Sequence, residues 1–229
     1  MYNAVGFLGK KYFAGYIQNY SAGTNPDLLD GANAVNLLDS GILTEILIDE
    51  GQEIVQDMSR AVDLKEGYSL KLTIASDKKG VLVELLRDKE VVDKKAVILP
   101  GTYVYASNIN NVAGVPLIAA RLDEPVFLDS ESYFKVNAIW QISEYPIRVS
   151  EDTQYGIMTC YHVDSAEGII SLNNEANDVT LSKNKYITFM PGFAMRTADS
   201  DDDALRYYLL KEVEITYLKD KTGSLGGMR

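Results

Sequence analysis

Apolar and polar positions alternate along most of the chain in short runs closed by glycine, aspartate, asparagine or proline, and the runs recur about every 8 to 12 residues. Alternation with period two puts successive side chains on opposite faces of an extended chain, so it predicts half-buried β-strands. In the run 68–74, Leu70, Leu72 and Ile74 share one face. A turn through Asp77, Lys78 and Lys79 leads into Gly80, and Val81, Val83 and Leu85 form the inward row of the returning strand. Asp88-Lys89 marks the next turn, 91–99 is a third strand, and the meander ends on Leu99-Pro100-Gly101. Helical spacing is confined to 30–39, a short-helix candidate, and to 205–211, where Tyr207, Tyr208, Val213, Ile215 and Tyr217 favour an extended chain instead.

This strand plan occurs twice. The run 157–163, a turn through Asp164 to Gly168, and the run 169–172 repeat the order of the first meander, and Met190-Pro191-Gly192 repeats its closing tripeptide. Tyr68 and Tyr155, Gly80 and Gly168, and Pro100 and Pro191 stand 87, 88 and 91 residues apart. Upstream, Ile46-Leu47-Ile48-Asp49-Glu50 resembles Ile139-Trp140-Gln141-Ile142-Ser143-Glu144, so the duplication covers roughly 70 residues a copy. Two copies of about six strands each predict an all-β protein built as two tandem β-sandwich domains, not a propeller or solenoid. The expected division is 1–110 for the first sandwich, 111–218 for the second and 219–229 for a linker or disordered tail. The first strands and 205–217 are able to pair with either sheet, which leaves strand exchange between the domains open.

Fifteen tyrosines against one tryptophan and one histidine suit half-buried sheet faces. A net charge of −11 argues against nucleic acid or anionic lipid as partners and favours cations and basic surfaces. Cys160 is the sole cysteine, so no intrachain disulfide and no cysteine zinc site is available. No leader-like sequence opens the chain, and no apolar run approaches the roughly 18 residues that span a bilayer.

The inventory of reactive groups is thin. Cys160 and His162 fall on one strand face, where side chains run parallel instead of converging, so a buried cysteine beside a partly exposed histidine is favoured over a catalytic pair. Asp199, Asp201 and Asp203 alternate as hard-cation ligands would and form a weak calcium candidate, but Ala204 and Leu210 replace the glycine and glutamate of an EF-hand loop. The competing reading is a solvated acidic hairpin tip. Asn19-Tyr20-Ser21 is a glycosylation candidate at Asn19. Gly6, Gly9 and Gly15 fit no phosphate-binding fingerprint. Trp140 shares a face with Ala138 and Ile142 and reads as core, with an exposed sugar platform as the competing reading. No cofactor is expected, and the chain is not expected to be an enzyme.

The run Tyr2-Asn3-Ala4-Val5-Gly6-Phe7 to Lys11-Tyr12-Phe13-Ala14-Gly15-Tyr16 resembles the signature region of the methanosarcinal S-layer family. Lys65-Glu66-Gly67-Tyr68, Gln141-Ile142-Ser143-Glu144, Asp178-Val179-Thr180-Leu181-Ser182-Lys183 and Leu205-Arg206-Tyr207-Tyr208 are similar to that family in order and spacing. The resemblance runs over about residues 2–216 and implies a structural protein that self-associates into a porous extracellular lattice on an archaeal cell surface. Each family unit is expected to fold as two β-sandwiches, with the export signal and membrane anchor outside this chain. An extracellular binding module, adhesin or carbohydrate-binding, is the second reading, and a hydrolase with convergent carboxylates the third.

Overall fold

The computed structural model describes residues 2–16, 35–75, 79–128, 131–199 and 206–211, and within them the protein is all-β. A first hairpin pairs β1 (Tyr2–Phe7) with β2 (Lys10–Tyr16), and a 3-10 turn at Leu38–Ser40 precedes β3 (Ile42–Glu50) and β4 (Ile54–Asp57). The expected short helix is represented, among the described residues, by that turn alone. The first meander is β5 (Val62–Asp63), β6 (Tyr68–Ile74), β7 (Gly80–Arg87) and β8 (Glu90–Ile98). A second hairpin, β9 (Gly101–Ile109) and β10 (Val112–Leu122), leads through β11 (Val126–Leu128) to the longest strand, β12 (Glu131–Ile142). Then come β13 (Ile147–Arg148), β14 (Gln154–Tyr155), β15 (Met158–Asp164), β16 (Ile169–Asn173), β17 (Tyr186–Met190), β18 (Phe193–Thr197) and β19 (Tyr207–Lys211).

The first meander forms a four-stranded antiparallel sheet in the order β5-β6-β7-β8. Its inner row, Leu70, Leu72, Val81, Val83, Leu85 and Val97, is buried, as the alternation predicts. Full burial of each such side chain is worth about 1.5–3 kcal/mol. On the outer face Lys71, Glu84 and Lys94 stand in one register row, with Glu84 paired to Lys71 at 3.5 Å and to Lys94 at 2.8 Å. Such exposed pairs set register more than they stabilise.

The duplication closes on itself through a nine-stranded sheet whose path runs β1-β2-β3-β12-β10-β9. At its centre β3 and β12, the corresponding strands of the two repeats, pair antiparallel, with Trp140 opposite Asp49 and Gln141 opposite Ile48. β4, which follows β3, pairs with β12, and β13, which follows β12, pairs with β3. One core joins the inner row of the first meander to Tyr103, Ile109, Val115, Leu117, Ile118, Leu122, Phe134, Val136, Ile139 and Trp140. A second gathers Phe7, Tyr12, Ala14, Leu38, Leu43 and Val149 beside Tyr155, Val163, Ile170 and Leu172, so the first hairpin packs with the second meander.

Two turns meet where that hairpin docks. A Cβ on Gly192 would lie 2.6 Å from the Leu8 carbonyl oxygen and 2.8 Å from Gly9 Cα, a separation that only glycine at both places permits. Residues 107–115 form the tip and flanks of the β9–β10 hairpin, with Asn110 and Asn111 both at positive φ as a two-residue hairpin turn requires.

Candidate functional site at the seam between the repeats

The richest polar constellation among the described residues lies where the turn into the first meander meets the end of β12. Tyr68 N–H donates to the Lys65 carbonyl at 3.1 Å, closing a tight turn in which Glu66 (φ 55°) and Gly67 (φ 77°) are both left-handed. Glycine accepts that conformation freely, whereas Glu66 occupies it at a cost. The carboxylate offsets the cost by accepting from Ser143 Oγ at 2.5 Å and from the Glu144 backbone N–H at 3.1 Å.

Beside it, the fully buried Gln141 amide bridges both backbone groups of Lys65. Its Oε1 accepts from Lys65 N–H at 2.9 Å and its Nε2 donates to the Lys65 carbonyl at 3.0 Å. Tyr68 OH donates to Glu144 Oε1, while Arg87 pairs with Glu144 Oε2 at 2.6 Å and lies 5.3 Å over the Tyr68 ring. Burial first, and then the hydrogen bond to Glu144, push the Tyr68 phenol well above its ordinary value. Both carboxylates are thus engaged in holding strands together. This chemistry suits a clamp between residues 76 to 78 positions apart in sequence.

A sequence model of the S-layer protein family matches residues 1–199. The chain belongs to that family. A Major S-layer protein of Methanosarcina barkeri is 22% identical over 176 residues, which cover 74% of this chain and 26% of the relative. A Major S-layer protein of Methanosarcina acetivorans is 21% identical over 221 residues, covering 93% of this chain and 30% of the relative. The chain therefore spans under a third of the length of these curated relatives.

The resemblance read from Lys65-Glu66-Gly67-Tyr68 and Gln141-Ile142-Ser143-Glu144 acquires a physical basis in this S-layer chain, since those two segments are bonded to each other. The other predicted residues are dispersed. Trp140 is 2% exposed and stacks edge-on against Phe13 at 5.3 Å, which places it in the core and not on a sugar platform. Cys160 and His162 are separated by a register shift that breaks the alternation assumed for them, so Cys160 turns inward while Tyr161 and His162 are both exposed. Burial raises the Cys160 thiol above its ordinary value, against nucleophilic use, and His162 Nδ1 lies 3.1 Å from Glu151 Oε1 at the surface.

Asp199 is exposed in a bend, whereas Asp201 and Asp203, its partners in the calcium candidate, lie outside the described residues, as does Asn19. Among the described residues no group of three His, Cys, Asp or Glu side chains is placed to hold a metal, and no helix is long and apolar enough to cross a membrane.

Proposed function

We propose that the chain is a building unit of a porous, acidic protein lattice on the outside of an archaeal cell, with a structural role and no catalytic step of its own. The observation that carries this reading is membership of the S-layer protein family over residues 1–199, and both relatives are major S-layer proteins of Methanosarcina species. The seam agrees with it, because its charged groups tie strands to one another. The two units near 1–110 and 111–218 are β-sandwiches that exchange strands. Two hydrophobic cores that each draw residues from both sides of 110, and the reciprocal pairing of β4 with β12 and β13 with β3, support the exchange.

A net charge of −11, repeated at every lattice position, lines the pores with negative potential and biases passage against anions. Immunogold electron microscopy of the native envelope tests the reading. Antibody to this chain decorating an ordered surface array is the expected result, and a diffuse or interior signal would remove it.

A further inference from the structure

The path of the nine-stranded sheet ends on β1 at one side and on β9 at the other, and each of these strands pairs with a single neighbour among the described residues. An edge strand offers a row of backbone N–H and C=O groups to any further strand, and proteins blunt such edges with charge, proline, bulges or short length. The two nine-residue edge strands of this chain, β8 and β9, treat that hazard in opposite ways.

β8 is blunted. It carries Glu90, Asp93, Lys94 and Lys95, and its register against β7 slips by one residue at Val92. Asp93 and Lys95 stand opposite the buried Leu85 and Val83, so both charges fall on the inward row of the sheet, where a further strand is least able to accommodate them. β9 has none of this. Gly101–Ile109 contains no charged residue and no proline, and both register shifts along the β9–β10 pair add their residue to β10, so β9 itself runs regular. Among the described residues, no backbone hydrogen bond reaches its outer side. The edge strands β1, β16 and β17 are uncharged as well, but none is longer than six residues, and short length is itself a protection.

We infer that the outer edge of β9 is a docking surface for β9 of a second copy of this chain, the two strands pairing antiparallel about a two-fold axis. The inference rests on the lattice reading and names one contact through which copies join. Antiparallel self-pairing satisfies both rows of backbone groups at once, and a strand without charge meets no like charge across the axis. Such a contact is isologous and closes a pair, so a lattice extends beyond it through a different surface. Overlap of the whole strand puts Tyr105 opposite its own copy and makes the two Ala106 residues diagonal neighbours. Ala106 is exposed, so a substitution there alters the contact and not the core.

The test is sedimentation velocity of the intact chain over a concentration series, with amide hydrogen exchange read at the low and high ends. The wild type forms dimers, and exchange within 101–109 slows as they form, because outward N–H groups gain partners. Ala106→Lys and Ala106→Glu each weaken dimerisation by at least about tenfold, since each meets its own charge diagonally across the axis, and mixing the two restores it. Unchanged melting curves verify that both variants fold, and the exchange measurement needs no variant. Undiminished association of either variant, or no recovery in the mixture, overturns the inference. Protection that appears within 2–7 while 101–109 exchanges as before overturns it in favour of the opposite edge of the sheet. A wild type that stays monomeric overturns it too, while the lattice reading stands or falls separately on the surface array sought by immunogold microscopy.

Discussion

Replacing Glu66 separates the two opposing contributions at the seam. The residue is left-handed at φ 55°, which costs a non-glycine residue about 1 kcal/mol, and its carboxylate accepts two hydrogen bonds from the end of β12. A hydrogen bond to a charged group contributes roughly 1.5–3 kcal/mol, and the partial exposure of Glu66 places both bonds at the low end, for about 3 kcal/mol together. Glu66→Ala loses the bonds and keeps the backbone cost, so it destabilises by about 3 kcal/mol. Glu66→Gly loses the same bonds but relieves the cost, so it destabilises by only about 2 kcal/mol. Urea unfolding followed by the fluorescence of Trp140, the sole tryptophan, measures both variants against the wild type in one assay. An alanine variant within about 0.5 kcal/mol of wild type, or a glycine variant less stable than the alanine one, would refute the reasoning.

Thr44 Oγ1 is buried in β3 with no hydrogen-bond partner, so Thr44→Val, which removes the stranded hydroxyl at nearly constant shape, raises stability by about 1 kcal/mol in the same assay. Gly192→Ala drives a methyl group into the backbone at Leu8 and Gly9 from a φ of 80°, and lowers stability by about 2–4 kcal/mol. Burial, reinforced by hydrogen bonds to Glu144 and Asp93, raises the Tyr68 and Tyr103 phenols above their ordinary value of 10.0. The folded state therefore binds more protons than the unfolded one above pH 10, and stability that is complete below that pH declines as pH rises further. Urea titrations at pH 9 to 11 read the decline, and Tyr103→Phe makes it shallower; a slope indifferent to that substitution would contradict the assignment.

The first meander was legible because its information is local. Leu70, Leu72, Val81, Val83 and Leu85 alternate without interruption, and Asp88-Lys89 turns the chain with both residues at positive φ. The pairing of β3 with β12 was not legible, although both segments stood out as copies of one another. No turn connects strands some 90 residues apart, so their register is set by how Trp140, Phe13 and Ile139 fill the shared core, which periodicity does not encode. A buried Cys160 beside an exposed His162 was the favoured reading, but the register shift that separates them was hidden for a related reason. A register shift adds a residue without any residue type announcing it, and alternation read through that point puts Cys160 and His162 on one face. At the seam, Lys65-Glu66-Gly67-Tyr68 and Gln141-Ile142-Ser143-Glu144 were conspicuous as family segments, but the amide bridge from Gln141 to Lys65 exists only once the sheet is assembled.

Reciprocal pairing of β4 with β12 and β13 with β3 gives the chain a mechanical property that two independent domains on a linker lack. Pulling the repeats apart must break the β3–β12, β4–β12 and β13–β3 ladders together with the Glu66 and Gln141 bonds, so lateral force is spread over many hydrogen bonds loaded at once. Splitting the chain at the β9–β10 turn tests this interlock most directly. Residues 1–110 and 111–229, produced separately and followed by circular dichroism through a thermal ramp, are each expected to show no cooperative transition, and mixing them is expected to restore one. Two halves that each fold and melt cooperatively on their own would contradict it.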